Sequence, residues 1–317
     1  MLRDGSRIEQ TRGRAVAVAK ALFAVVVWGA SFIATKMAVA EALPVTVVWL
    51  RFAMGIVVLG AIVVARRQLI RPSARDLAYF TGLGFLGIAF HQWLQSNGLV
   101  TAQAGTTAWI VSTTPIFMAL LGWLVLRERL GWPRTAGIAL AAFGVLIVVS
   151  KGDFGSIQTG RFGAPGDYLV LLSAVNWAVF SVLSRKGLQR HSSAGMMLWV
   201  MLTGWLLTTV LFLAGPGPAD VARLTPRGWA AVAFLGIACS GLAYAFWYDA
   251  LRALPASQVG AYLYIEPLVA VAVAAVLLGE PVLPVTLLGG FAILLGVWLV
   301  GLRSGQDRIE AGRSHEP

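Results

Sequence analysis

The chain is 317 residues long, 58% hydrophobic and only 12% charged, with a mean hydropathy of +0.78 and a formal net charge of +11. A soluble domain carries about a quarter charged residues; half that supply excludes a water-facing globule and leaves room for about ten apolar spans of roughly 20 residues. The basic residues sit in short gaps between apolar runs, where membrane topology puts them, so the charge does not point to nucleic acid.

After a polar tail at 1–14, the first run extends from Ala15 to Met37. That is longer than the 7–15-residue core of a signal peptide, and it reads as a retained first span, 15–38. Trp28, Ser31 and Thr35 share one face of it, with Lys36 near its outer end. The second span, 44–65, carries Arg51 eight residues in, too deep to reach water easily. The third, 76–99, holds His91, Gln92, Gln95 and Ser96. The fourth, 103–126, has Thr106, Trp109 and the hydroxyl run Ser112, Thr113, Thr114 before Pro115.

The fifth span, 132–150, is spaced by Gly137 and Gly144, which favour close helix packing. The sixth, 164–184, presents Ser173, Asn176, Trp177 and Phe180, and the seventh, 193–214, is almost wholly apolar. The eighth, 226–250, contains Tyr244, Trp247, Tyr248 and the lone Cys239; Asp249 near its end reads as an ion pair with Arg252, three residues on. The ninth, 255–278, aligns Gln258, Tyr262 and Glu266 on one stripe, with Glu266 directly before Pro267. The tenth, 282–302, repeats the glycine spacing at Gly289 and Gly296, and a tail follows at 303–317. None of these runs alternates with the two-residue period of a barrel strand.

Of the 25 Lys and Arg, 19 fall on the side of the two tails and the loops that share it, and Lys151, Arg161, Arg223 and Arg227 fall on the other. The positive-inside rule then sets both termini in the cytoplasm. The chain also repeats. Gly84, Pro115, Glu128, Gly137 and Gly144 recur 152 positions later as Gly236, Pro267, Glu280, Gly289 and Gly296, and Trp28 recurs as Trp177 149 positions later. An odd number of spans per half turns the second half upside down, the inverted repeat of many secondary carriers.

Five plus five spans, and a proline followed thirteen residues later by glutamate in TTPIFMALLGWLVLRERL and YLYIEPLVAVAVAAVLLGE, resemble the drug/metabolite transporter superfamily of EamA type. GGFAILLGVWL resembles the last helix of its second half. The resemblance implies an all-α integral membrane protein with repeats at 15–150 and 164–302 around a central cavity. It also implies residence in the bacterial inner membrane and export of metabolites or toxic small molecules.

A charge at bilayer depth needs a partner or a cavity. Glu266 reads as a binder of cations or protons, or as a neutral or Arg-paired packing residue. Arg51 is its natural counter-charge, or a tie between helices. His91 reads as a proton relay or as a cross-helix hydrogen bond. Gln95, Trp28, Ser31, Asn176, Trp177, Tyr244, Tyr248, Trp109, Gln258 and Tyr262 complete the cavity candidates. The hydroxyls before Pro115 read as caps for the carbonyls that a proline frees, and Glu128 and Glu280 as fasteners of helix ends. No metal-ligand spacing and no phosphate-binding loop G-x-x-x-x-G-K-[ST] occurs, and the sequence calls for no cofactor. The reading is a secondary transporter, monomeric or dimeric, of small amphipathic or aromatic compounds by alternating access, with or without coupling to protons. A passive channel or an intramembrane enzyme stands as the alternative.

Overall fold

The computed structural model describes residues 2–126, 131–153, 155 and 163–301, and all secondary structure among them is helical. Helix α1 is Leu2–Val39 and α2 is Pro44–Ala65. Helix α3 runs through Ala74–Gly84, a π-helical stretch Phe85–Phe90 and His91–Thr101. Helix α4 is broken into Ala104–Val111 and Thr114–Leu126. Helices α5, α6 and α7 are Trp132–Ser150, Pro165–Leu188 and Ser193–Ala214, followed by a short helix Gly217–Val221. Helix α8 passes through Pro226–Ala233, a π stretch Phe234–Leu242 and Ala243–Ala253. Helix α9 joins Ala256–Tyr262, a 3₁₀ turn Leu263–Ile265 and Glu266–Leu278, and α10 is Pro284–Gly301.

The starts follow local chemistry. Pro44, Pro165 and Pro226 open α2, α6 and α8 at the position where a missing N–H costs nothing. Ser73 and Asp76 close a capping box on α3. Among the described residues nine helices are long and apolar enough to cross a membrane, and the chain is a multi-pass membrane protein. Helix α3 is outside that set because its second half carries His91, Gln92, Gln95 and Ser96, all buried against protein. Large apolar side chains such as Val57, Leu124, Val276 and Phe291 face outward, as lipid requires.

The helices alternate in direction and leave two distinct ends. The basic end holds Arg66, Arg75, Arg185 and Arg252 at the ends of α2, α6 and α8 and the start of α3. The far end holds the last turns of α1, α3, α7 and α9 and the first turns of α2, α4, α6 and α8.

Glycines set the closest crossings. Helices α5 and α10 pack along their length, and a Cβ on Gly144 would stand 2.6 Å from the Gly289 carbonyl oxygen. A Cβ on Gly137 would stand 2.5 Å from that of Gly296, and the reverse contacts are 2.9 Å from Gly289 to the Gly144 oxygen and 2.5 Å from Gly296 to the Gly137 oxygen. Exchanging each glycine for its counterpart 152 positions away therefore maps this crossing onto itself. The same exchange relates Gly84 of α3, set against Gly204 of α7, to Gly236 of α8, set against Gly55 of α2.

Overpacking such a contact costs about 1–3 kcal/mol. Gly144→Val should lower the detergent-solubilised melting temperature measurably. Gly82→Ala, where nothing lies within 4 Å, should be neutral or stabilising by up to about 1 kcal/mol through helix propensity.

Candidate functional site

Between the helices lies a cavity of about 400 Å³ lined from α1, α2, α3, α4, α6, α8 and α9, and by Met197 of α7. Its most chemically distinctive wall is Arg51. The guanidinium is buried, its Nε donates to Ser240 Oγ at 2.8 Å and its Nη1 to Gln92 Oε1 at 3.2 Å. Both acceptors depend on π-helical stretches: Ser240 lies within that of α8 and Gln92 just after that of α3. A π turn re-aims side chains and leaves a carbonyl without its usual partner. Asn176 Nδ2 serves the Leu86 carbonyl at 2.7 Å, and Trp28 Nε1 serves the Cys239 carbonyl at 3.1 Å.

Arg51 has five N–H groups, and two are spent on these partners. It forms no ion pair among the described residues. Glu266 also lines the cavity, and its carboxylate has no hydrogen bond or ion pair among the described residues. Tyr244 lines the same cavity. The cavity thus holds a guanidinium and a carboxyl group that no salt bridge joins.

His91 Nδ1 lies 3.2 Å from the Ser173 carbonyl oxygen. A carbonyl only accepts, so Nδ1 carries the proton and Nε2 is the nitrogen free to exchange one. The imidazole packs at 4.7 Å on Trp177 with the rings tilted by 39°, and Trp28 packs at 5.5 Å on Tyr244 and 5.2 Å on Trp247. Gln95, Ser31 and Tyr248 complete the polar and aromatic lining.

Nine of the thirteen sequence candidates meet here: Glu266, Arg51, His91, Gln95, Trp28, Ser31, Trp177, Tyr244 and Tyr248. Four do not line the cavity. Asn176 is committed to the π stretch of α3. Trp109 is buried between α4 and α10, filling the notch that Gly290 leaves. Gln258 donates to Tyr262 Oη at 3.1 Å, and Tyr262 packs with Ala17 and Ala250 on the α1 side. The single stripe expected from Gln258 through Tyr262 to Glu266 is broken by the 3₁₀ turn Leu263–Ile265. At three residues per turn it rotates the following side chains and brings Leu263 and Tyr264 to the cavity instead.

Other local readings change with tertiary context. Asp249 pairs with Lys20 at 2.6 Å and with Arg66 at 2.6 Å, joining α8 to α1 and α2, rather than with Arg252. Lys36 Nζ donates to the Ala102 carbonyl in the α3–α4 turn. The hydroxyls before Pro115 act as read: Ser112, Thr113 and Thr114 donate to the carbonyls of Trp109, Ile110 and Val111 at 2.6–2.7 Å. Ser240 went unread, although a hydroxyl inside the apolar run FLGIACSGL was its signal.

The cavity's lining runs from Ser31, Gln95 and Ala108 on the far-end side to Met118, Tyr248 and Gly260 on the basic-end side. Helix ends at the far end are tied to one another. Glu280 accepts from the amides of Ala104 at 2.8 Å and Gly105 at 3.1 Å, and the amide of Gly166 donates to Thr101 Oγ1 at 2.9 Å. Glu128, the repeat counterpart of Glu280, lies outside the described residues.

The sequence profile of the EamA-like transporter family matches residues 15–150 and 164–302. The chain is 31% identical to a probable terminal-alkyne amino-acid exporter of Streptantibioticus cattleyicolor, over 76% of this chain and 78% of that protein. It is 28% identical to an uncharacterized transporter of Archaeoglobus fulgidus, over 88% and 95%. It is also 28% identical to a probable amino-acid metabolite efflux pump of Salmonella typhimurium, over 88% and 92%. A solved crystal structure sharing 20% identity superposes with a TM-score of 0.62 over 95% of this chain and 99% of its own, the same fold.

Ser240→Ala leaves a buried guanidinium N–H without its partner, a loss of about 1–3 kcal/mol. Asp249→Asn removes a part-exposed pair, worth about 1 kcal/mol or less. Melting of the purified variants should therefore rank Ser240→Ala well below Asp249→Asn, and the reverse order would contradict the burial argument.

Proposed function

The chain belongs to the EamA-like transporter family, and from that premise we propose that it is a secondary carrier that exports small amphipathic metabolites by alternating access. The observation that carries the proposal is the cavity between the helices, where Arg51, Glu266 and His91 meet aromatic side chains, beside a far end whose helix ends are hydrogen-bonded to one another. A passive pore needs a path through both ends. A carrier caught in one of its two states has this shape.

In this reading α3 crosses as a tenth span, its polar half shielded by protein, and the halves 15–150 and 164–302 are inverted repeats. The self-mapping α5–α10 crossing supports that inversion. The bias of Lys and Arg supports a topology with the basic end and both termini in the cytoplasm, in a bacterial inner membrane. A single chain supplies the whole cavity, and a monomer suffices for the cycle.

Arg51 takes an anionic group of the solute and Glu266 a cationic one, while Trp28, Trp177, Tyr244 and Trp247 hold its apolar part. Two relatives are named for amino-acid or amino-acid-metabolite export, and molecules of that kind carry both charges. Glu266 and His91 are the groups that couple transport to protons: each has an open proton-exchanging atom at the cavity, and neither is locked in an ion pair.

Counterflow of labelled amino acids and their derivatives in proteoliposomes tests the carrier reading. Wild-type protein should exchange at least one such solute, and a pH gradient should drive net flux. Glu266→Gln should cut gradient-driven flux by tenfold or more. Gradient-independent flux, unchanged in Glu266→Gln and His91→Ala, would remove the coupling and leave the carrier standing.

A further inference from the structure

We propose that Glu280 is the latch of the far-end gate: its carboxylate holds the start of α4 closed over the cavity, and releasing those two amides is the step that opens that end. The proposal rests on the carrier reading above and adds the contact that separates its two states.

The first turn of a helix has N–H groups with no acceptor of their own. At α4 the N-cap residue, Gln103, supplies no side-chain bond. Both leading donors, Ala104 N and Gly105 N, instead go to the two oxygens of one carboxylate on another helix. Its negative charge lies at the positive end of the α4 dipole, which adds to the attraction. Two features deliver it there. Gly279 ends α9 in the left-handed conformation, with φ +65°, and the Glu280 amide turns back to the Ala274 carbonyl at 3.2 Å.

The latch joins the start of α4 to the residues just past the end of α9. The first half of α4 and the last half of α9 touch at the far end, where a Cβ on Gly105 would stand 3.4 Å from Val271 Cγ2. Both helices are interrupted at mid-depth, α4 at Ser112–Thr113 and α9 at Leu263–Ile265. On the basic-end side of those breaks the same two helices line the cavity, through Met118 and Gly260. Few polar groups are involved, so the bond is strong enough to bias the closed state and weak enough to release. Losing one or two charge-assisted hydrogen bonds shifts a two-state equilibrium by about tenfold or more.

Solute-independent thiol labelling tests this. In a Cys239→Ala background, Val111→Cys introduces a thiol on the α4 wall, two turns below the latch. An impermeant maleimide is added from the far-end side in oriented proteoliposomes. Glu280→Gln should raise the labelling rate about tenfold with the melting temperature within a few degrees of the parent. Linking Gly105→Cys to Val271→Cys should abolish far-side labelling, and reduction should restore it. Unchanged labelling in a folded Glu280→Gln protein would overturn the latch. Should that variant not fold, persistent far-side labelling of the cross-linked protein with Glu280 intact would overturn it equally. Failure of the carrier reading would show separately, as no flux in the wild type.

Discussion

Polar groups at bilayer depth have no water to fall back on, so each one must find its partner within the protein. That constraint organises this fold more than apolar burial does, because lipid tails satisfy apolar side chains as well as protein does. It explains why the least apolar helix, α3, is the one whose polar half is most thoroughly covered, with Gln92 on Arg51 and His91 on Ser173. It also explains why backbone irregularities come with matching side chains. The break in α4 is closed by three hydroxyls, and the π stretches of α3 and α8 are served by Asn176 and Trp28.

Those irregularities are what make a cavity possible. Regular helices packed at glycine contacts would fill the centre. The α5–α10 crossing shows how close two helices come when nothing intervenes. Where α3, α4, α8 and α9 depart from regular geometry, side chains are re-aimed, and space opens at mid-depth between Arg51 and Glu266. The two halves use corresponding positions for different purposes. Pro115 follows hydroxyls that mend the backbone, whereas Pro267 follows Glu266, which faces the cavity, and a 3₁₀ turn does the mending. Scaffold contacts obey the repeat, and cavity chemistry does not.

Much of this was legible in the chain itself. Composition and spacing settled the helical membrane class, and the 152-residue register located the glycines that meet in α5 and α10. Nine of thirteen cavity candidates were found because a charge, imidazole or amide inside an apolar run has few places to go. Asp249 reads from the sequence as paired with the near neighbour Arg252, and its partners Lys20 and Arg66 come from remote helices. Gln258 reads as one stripe with Tyr262 and Glu266, which the 3₁₀ turn breaks. Trp109 reads as a cavity candidate, and its ring packs against Gly290.

What the sequence by itself determined is therefore the class, the order of the elements and the residues too polar for lipid, since hydropathy, glycine spacing and proline placement are properties of the chain alone. Tertiary structure decided which of those residues face each other. It left Arg51 and Glu266 without a salt bridge between them, turned Tyr262 aside through a three-residue change of helical pitch, and set Glu280 on the amides of a helix some 175 residues away. The physical reason is that a side chain's direction depends on the exact winding of its helix, and its partner on how helices cross. Neither is a local property.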